Sequence, residues 1–308
     1  MTQILIDLQI TIFTYIVIGF ILYKLKLING DGENFLSSLT LGLFLPVNVF
    51  TSFINNMTVD LLKDLILVLI MAVFLETLIY LSTKIKIKFM SYDEECVLHY
   101  GMLVSNAGLI GTPVIEGLFG GVGVVFCNVF MIPTRILCFS AGESIFNPQK
   151  RKNLRTLLLN ILTNKIIIAI VLALILLAMD ISLPSPIFQA LENVGKCLSP
   201  MSLILVGAIL AENASFKFDI IGKVAFLSLL RLFCIPLLAL LFCILAKLDF
   251  QSTAIIVLIL GMPIGSTTAV FAKKYNGNSS FASISVMATT ILSLFTLVIL
   301  LQIVELFF

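Results

Sequence analysis

Long apolar stretches constrain this chain more than any other feature. The sequence has 308 residues, of which 60% are hydrophobic and 12% charged, and its mean hydropathy is +1.15. A soluble domain carries about 25% charged residues. In lipid, backbone polar groups must be hydrogen-bonded within the protein, so long apolar segments cross a bilayer as helices. The composition therefore predicts an all-α, multi-pass membrane protein.

The apolar stretches predict ten transmembrane helices in two halves of five. A span needs about 20 apolar residues, and the stretches lie at about 3–23, 34–54, 62–83, 96–118, 122–145, 157–179, 186–211, 219–246, 251–272 and 280–306. Residues 1–155 would form the first five-helix repeat and residues 156–308 the second. Because five is odd, the second repeat would enter the membrane inverted, which is an arrangement that supports alternating access.

Loop charge predicts the orientation of the spans, because cytoplasmic loops carry an excess of Lys and Arg. Loops after even-numbered spans hold two basic residues, Lys63 and Lys247. Loops after odd-numbered spans hold thirteen: Lys24, Lys26, Lys84, Lys86, Lys88, Lys150, Arg151, Lys152, Arg155, Lys217, Lys223, Lys273 and Lys274. We therefore expect a plasma-membrane protein with cytoplasmic odd loops and both termini extracellular.

Two predicted spans, the fourth and the ninth, contain a Gly- and Pro-rich interruption near their centre. Residues 105–113 read SNAGLIGTP, and residues 260–268 read LGMPIGSTT. Backbone groups freed by such a break are tolerated in a membrane only where they face protein or a cavity. Two interrupted spans at corresponding positions of two halves indicate the binding site of a secondary transporter. The alternative is that Pro113 and Pro263 only kink two packed helices.

The interruptions predict the chemistry of the ligand. Thr112 before Pro113 is a suitable N-cap for a helix that restarts at the proline, and the second restart is expected between Pro263 and Ser266. The two restarted helices would run in opposite directions and present their positive N-terminal ends to one point. The predicted ligand is a small anion, most simply a carboxylate. The candidate binding residues here are Asn106, Gly111, Thr112, Pro113, Pro263, Gly265, Ser266 and Thr267.

These segments resemble the auxin efflux carrier family over nearly the whole chain. Residues 106–113 (NAGLIGTP) are similar to the family's motif in the fourth span, and Gly261-Met262-Pro263 with residues 269–275 is similar to its ninth span. Phe44-Leu45-Pro46 resembles its second span. The chain is similar to short bacterial members, without the long cytoplasmic loop of the plant hormone exporters.

The resemblance implies a fold and a function. The fold is the ten-span type of sodium/proton antiporters and bile-acid symporters, in which the broken spans 4 and 9 cross. The function is transport of small organic anions, such as malate-like or auxin-like acids. The family's site residues carry over to Asn106, Pro113 and Pro263. Asn48 stands where many members carry an apolar or small residue, so its role stays open.

Ionisable residues within spans are functional candidates, because burying them in a membrane is costly. Arg135 and Arg231 could each neutralise a substrate carboxylate, or they could form structural ion pairs with Glu76 or Glu143. Glu116, in the first turn after Pro113, is either a coupling group or a favourable charge at a helix N-terminus.

Two further groups of charges complete this set. Glu76 is the second candidate coupling group, or it could extend towards the cytoplasmic surface. Glu192 and Lys196 have the i,i+4 spacing of an ion pair, expected near the outer face.

The leading interpretation is a secondary active transporter of a small organic anion, without a cofactor but with H⁺ or Na⁺ as a possible coupling ion. A crossover domain (spans 3–5 and 8–10) would move against a scaffold (spans 1, 2, 6 and 7). The alternative is a sodium-coupled symporter of the bile-acid-carrier type. The oligomeric state stays open, with a homodimer among the alternatives.

The sequence contains none of the motifs expected of an enzyme, an ATP-driven pump or a nucleic-acid-binding protein. The single histidine, His99, offers no HExxH motif or usable catalytic partner, so an enzyme is not expected. No GxxxxGK[ST] loop for ATP occurs, and there is no basic domain for nucleic acid. The six cysteines form no CxxC pair, so neither a metal site nor a disulfide framework is expected. A sensor or a channel is a third class, and a sensor would need an appended domain.

Overall fold

A computed structural model of the protein describes residues 2–138, 142–147, 159, 161–212 and 220–308. Within these ranges the chain is helical, and its only extended pairing is one isolated bridge. Seven described helical stretches are long and apolar enough to cross a membrane. Two shorter apolar helices, Lys165–Ala178 and Phe250–Leu260, lie where the sequence predicts spans 6 and 9. The structure is that of a multi-pass helical protein, and the count of ten spans stays a prediction.

Two helices of the first half begin at a polar N-cap residue. Asn29 accepts a hydrogen bond from the Gly32 N–H, and Ser91 forms a reciprocal capping box with Glu94. The helices are α1 (Thr2–Lys24), α2 (Gly30–Leu39), α3 (Leu45–Asn56), α4 (Leu62–Ser82), α5 (Tyr92–Leu103), α6 (Thr112–Leu137) and α7 (Glu143–Phe146).

The second half repeats this use of polar caps. Asn164, Asp249 and Asn278 each accept a backbone N–H at the start of a helix. The helices are α8 (Lys165–Ala178), α9 (Ser185–Lys196), α10 (Leu198–Glu212), α11 (Ile221–Leu229), α12 (Ile235–Leu245), α13 (Phe250–Leu260), α14 (Thr267–Lys274) and α15 (Ser279–Glu305). The predicted boundary between the halves, at residues 155 and 156, lies outside the described residues.

Three π-turns that the structure describes in full interrupt the long helices, and each ends two residues before a proline. They are Thr40–Phe44 before Pro46, Ala107–Gly111 before Pro113, and Leu230–Cys234 before Pro236. In each case the residue next to the proline donates its N–H to the fifth residue back instead of the fourth. A proline has no N–H and its ring crowds the preceding turn, so the helix accommodates it by widening.

Between the predicted spans 4 and 5, the structure has a sharp bend at one glycine instead of a loop. The helix α6 runs through this region with one non-helical residue, Gly120, at φ +62° and ψ −157°. Residues with a side chain rarely adopt this conformation. The direction of the chain therefore changes at a single glycine.

The helices pack in two groups. In the first, α1 packs along α10, and α3 packs on α8 and α9. Gly19 and Gly207 allow the close contact of α1 with α10, because a Cβ at Gly207 would collide with the Ile16 carbonyl oxygen. In the second group, α6 packs on α4 and α13, and α15 packs on α11, α13 and α14. Between the groups, α3 and α1 contact α6, and α1 also contacts α15. The division into a scaffold and a crossover domain stays a prediction.

An ion pair ties α5 to α11 within the second group. The Lys223 ammonium donates to both carboxylate oxygens of Glu94, at 2.7 and 2.8 Å. Burial by itself would raise the pKa of Glu94, but hydrogen bonds from Lys223 and Ser91 outweigh it and lower the pKa.

Candidate functional site

The two predicted interruptions lie side by side. Ser105 and Ile264 pair in antiparallel fashion as one isolated β-bridge. The Asn106 N–H donates to the Pro263 carbonyl, and the Gly265 N–H donates to the Val104 carbonyl, each at 2.8 Å. The polar groups freed by each break are thus partly satisfied by the other, as a buried backbone requires.

Four helix ends meet at this pairing. The helices α5 and α13 end before it, at Leu103 and Leu260, and therefore direct their negative C-terminal ends towards it. After it, one helix restarts at Ala107 and the other at Thr267. The restarted helices direct their positive N-terminal ends towards the same pairing.

The first helix restarts earlier than the sequence predicted. It begins with the π-turn at Ala107, with Asn106 in the N-cap position, and Pro113 follows one turn later. The predicted cap, Thr112, is fully buried, and its hydroxyl donates to the Ala107 carbonyl at 3.2 Å. The prediction of a restart at Pro113 was wrong because the extended pairing ends at Asn106, so the helix can resume there.

The second restart lies close to its predicted position. The helix α14 begins at Thr267, and Ser266 occupies the N-cap position without a side-chain capping bond. Pro263 lies in the extended pair and contributes its carbonyl to it. Ser266 is half-buried and Thr267 is exposed, so this helix end is accessible.

The backbone N–H groups without a hydrogen-bond partner are not all on the residues that the sequence predicted for the binding site. The N–H groups of Gly111, Thr112 and Gly265 are hydrogen-bonded within the backbone. No backbone hydrogen bond within the described chain uses the N–H groups of Ala107, Gly108 and Leu109, or those of Ser266 and Thr267. The open donors therefore occupy the first residues of each restarted helix, as at helix N-termini generally.

Asn106 adds a side chain to these open donors. It is 6% exposed, its side chain makes no capping bond, and no partner for its amide occurs among the described residues. Gly111 serves packing here. A Cβ at Gly111 would lie 3.3 Å from the Met262 side chain, so glycine allows the first restarted helix to approach the second break.

Arg231 binds the negative ends of the interrupted helices. Its Nε donates to the Met262 carbonyl at 3.0 Å, and its Nη1 donates to the Met102 carbonyl at 2.7 Å. The side chain is 1% exposed and extends from the third π-turn. The guanidinium therefore satisfies one freed carbonyl from each break and neutralises both C-terminal dipoles.

Glu76 lies on α4, within electrostatic range of Arg231. It is 2% exposed, and its Oε1 accepts a hydrogen bond from the Thr134 hydroxyl. Its Oε2 has no hydrogen-bond partner. Glu76 is thus a buried carboxyl hydrogen-bonded to Thr134, and it does not extend to a membrane surface.

Arg135 is bound locally on α6. Its Nη2 donates to the Asn128 side-chain oxygen at 2.7 Å, and its Nη1 to the Asn128 carbonyl at 3.2 Å. Of its two proposed partners, Glu76 accepts from Thr134, and the side chain of Glu143 lies outside the described residues.

Asn48 and Glu116 lie together, one turn beyond the breaks. Leu45 packs near Gly108 of the first break, and Asn48 follows Leu45 by three residues on α3. The Asn48 amide donates to a Glu116 carboxylate oxygen at 3.1 Å. The structure therefore connects Asn48, whose role the sequence left open, with a candidate coupling group on the helix that begins at the break.

Tyr100 is a residue that the sequence did not single out. It is fully buried on α5, its hydroxyl donates to Thr267 Oγ1 at 3.1 Å, and its ring packs edge-on against Phe271. It fixes the side chain that begins α14. Nothing in the sequence pattern marks it, because the contact joins residues 167 positions apart.

Two comparisons with known proteins bear on this site. Residues 4–301 match the protein-family model described as a membrane transport protein. No curated protein matches the chain. Among the described residues, no group of three His, Cys, Asp or Glu could hold a metal ion.

Proposed function

Because the chain belongs to the membrane transport protein family, the auxin efflux carrier family that it resembles, we propose that it is a secondary active transporter of a small organic anion. The main support is the balance of charge at the paired breaks. Arg231 occupies both carbonyl ends, while the amide ends of the restarted helices keep five open N–H groups. The positive ends are therefore left without compensation.

An anion is the ligand that fits this balance. Each helix N-terminus acts as roughly half a unit of positive charge, so two of them match one carboxylate. The open N–H groups and the Asn106 amide provide neutral donors, and Thr267 is exposed beside them. A cation would meet repulsion from both helix ends.

Alternating access fits the packing. The paired breaks belong to the group of helices that contains α4, α6, α11 and α13–α15. The group that contains α1, α3 and α8–α10 contacts it through α1, α3 and α10. We propose that the first group moves against the second and carries the anion from one side of the membrane to the other.

The sodium-coupled symporter is the second candidate. In such carriers, carbonyls freed at unwound segments coordinate Na⁺. Here the Met102 and Met262 carbonyls accept hydrogen bonds from Arg231, which supplies a permanent positive charge at that place. This favours the first candidate, with H⁺ as the coupling ion and Glu76 or Glu116 as the carboxyl group that carries it.

The test is binding of a panel of carboxylates to the purified protein, measured by thermal stabilisation. A ligand at 100 times its Kd adds about 2.7 kcal/mol. Asn106→Ala is expected to weaken binding by about 1–3 kcal/mol, the cost of losing a hydrogen bond to a charged group. The matched control is Asn193→Ala, because Asn193 is exposed on α9 away from the breaks.

Two results would contradict the proposal. Unchanged affinity in Asn106→Ala would remove Asn106 from the site, and no stabilisation by any carboxylate would remove the anion itself. Uptake into vesicles with Na⁺ replaced by K⁺, at several pH values, separates the coupling ions. A strict requirement for Na⁺ would favour the second candidate.

A further inference from the structure

A polar cavity of about 250 Å³ lies between the two groups of helices, outside the paired breaks. One wall is a polar stripe on α3 with helical spacing, formed by Asn48, Thr51, Ser52, Asn55 and Asn56. The facing wall carries Glu116 of α6, and the rim carries Glu192 and Lys196 of α9. In a mostly apolar chain, polar residues with this spacing form one polar face of the helix, which suits a cavity that holds a polar ligand.

The charges around this cavity differ from those at the breaks. Glu192 and Lys196 form an ion pair at 3.6 Å on the rim, and no ion pair to Glu116 occurs among the described residues. The formal charge of the three groups sums to −1, with two acids and one base. A simple carboxylate would be repelled by Glu116, whereas an ammonium group would be attracted.

Asn48 provides a second, independent observation. It is 3% exposed, and its amide nitrogen donates to Glu116, which fixes the orientation of the amide. Its Oδ1 then has no hydrogen-bond partner. A buried acceptor without a donor is costly, and here it lies beside a carboxylate. An ammonium group supplies donors for both acceptors, the Glu116 carboxylate and the Asn48 Oδ1.

We propose that this cavity binds the zwitterion of an α-amino acid, with the ammonium group at Glu116 and Asn48 and the carboxylate at Lys196. Lys196 is exposed at the rim and can exchange Glu192 for the ligand carboxylate, because exposed ion pairs are weak. This inference rests on the proposed function, because the cavity begins one turn from the breaks where the transported anion would bind. The inference restricts the proposed carboxylate substrates to those that also carry an ammonium group.

Matched ligand pairs test this inference on the purified full-length protein. L-aspartate and L-malate differ only in an ammonium group against a hydroxyl, as do L-alanine and L-lactate. We expect the amino acid of a pair to bind about 10- to 100-fold more tightly, the range for hydrogen bonds to charged groups. The readout is thermal stabilisation, followed by competition for uptake into vesicles.

Two variants assign the roles. Glu116→Gln preserves shape and is expected to abolish the preference for the amino acid while the hydroxy acid binds as before. Lys196→Met is expected to weaken both members of a pair equally, since both carry the carboxylate. The control is Asp60→Asn, which removes an exposed acid in the loop that follows α3. Size-exclusion profiles and melting temperatures without ligand establish that each variant is folded.

Each outcome separates the two proposals. If hydroxy acids bind at least as tightly as amino acids, and Asn106→Ala weakens them, this inference fails and the anion transporter stands. An unchanged ammonium preference in Glu116→Gln also refutes the inference. If amino acids bind with the expected preference and Asn106→Ala has no effect, the cavity stands and the site at the breaks fails. Absence of binding by every pair refutes both.

Discussion

Replacement of Arg231 is the most informative perturbation of this structure. Arg231→Met keeps most of the side-chain length but removes the charge and both donors. The Met102 and Met262 carbonyls then lose hydrogen bonds of 2.7 and 3.0 Å in a site that is 1% exposed. Hydrogen bonds to a charged group contribute about 1.5–3 kcal/mol each, so the pair contributes about 3–6 kcal/mol.

An opposing effect has to be weighed. The variant no longer buries a guanidinium, and replacing buried charges with apolar groups is stabilising in some proteins. Such stabilisation requires every member of the buried charge network to be replaced. Here Glu76 and two carbonyl ends remain, and removal of one member of a buried charge network costs about 3–5 kcal/mol. We therefore expect net destabilisation of that size.

The assay is thermal unfolding of purified protein, together with anion binding. The expected loss corresponds to a lower melting temperature on the order of 10 °C. Anion binding is also expected to weaken, because the negative helix ends are no longer neutralised. Arg231→Lys retains the charge without the fork of donors, so we expect an intermediate melting temperature.

A double-mutant cycle with Glu76→Gln measures the interaction of the two side chains. If Glu76 is ionised beside Arg231, the double variant is less destabilised than the sum of the single variants. A melting temperature of Arg231→Met equal to that of the wild type would refute the role of this residue as a link between the breaks.

Three further predictions concern other parts of the fold. Pro263→Ala restores an N–H and favours helix across the second break, so anion uptake per folded molecule should fall sharply without a matching loss of melting temperature. Pro113→Ala is the comparison, because Pro113 lies in the restarted helix beyond the first break. Near-normal uptake in Pro263→Ala would support a simple kink. Because the pKa of Glu94 is lowered in the folded protein, its contribution to stability is present above its usual pKa of 4.5 and is lost as pH falls through the folded value. Glu94→Gln should therefore lower the melting temperature at pH 7 but not at strongly acidic pH. An equal loss of melting temperature at both pH values would contradict this. Gly207→Ala forces a methyl group onto the backbone of α1 and should lower the free energy of unfolding by about 1–3 kcal/mol. The control is Gly222→Ala, because Gly222 has open space around its Cα. Equal melting temperatures of the two variants would refute the close packing of α1 and α10.

The amino-acid sequence by itself determined the class of this protein and the location of its breaks. Apolar length predicts helices in any membrane protein, because lipid leaves no other partner for the backbone. Gly and Pro mark the interruptions because their effects on the backbone are local. Asn106 and the second break could therefore be predicted from short segments, and the family match over residues 4–301 agrees with the resemblance those segments carry.

Only the tertiary structure decided what each polar group binds. The first restart moved from Pro113 to Ala107 because the extended pair with residues 263–265 ends at Asn106, and that partner lies over 150 residues away in the sequence. Arg231 reaches carbonyls of two different helices, which no spacing in the sequence encodes. A charged residue within a span shows only that some partner exists. Whether that partner is a ligand, a carboxylate or the backbone depends on which helices pack together, and packing is a property of the whole chain.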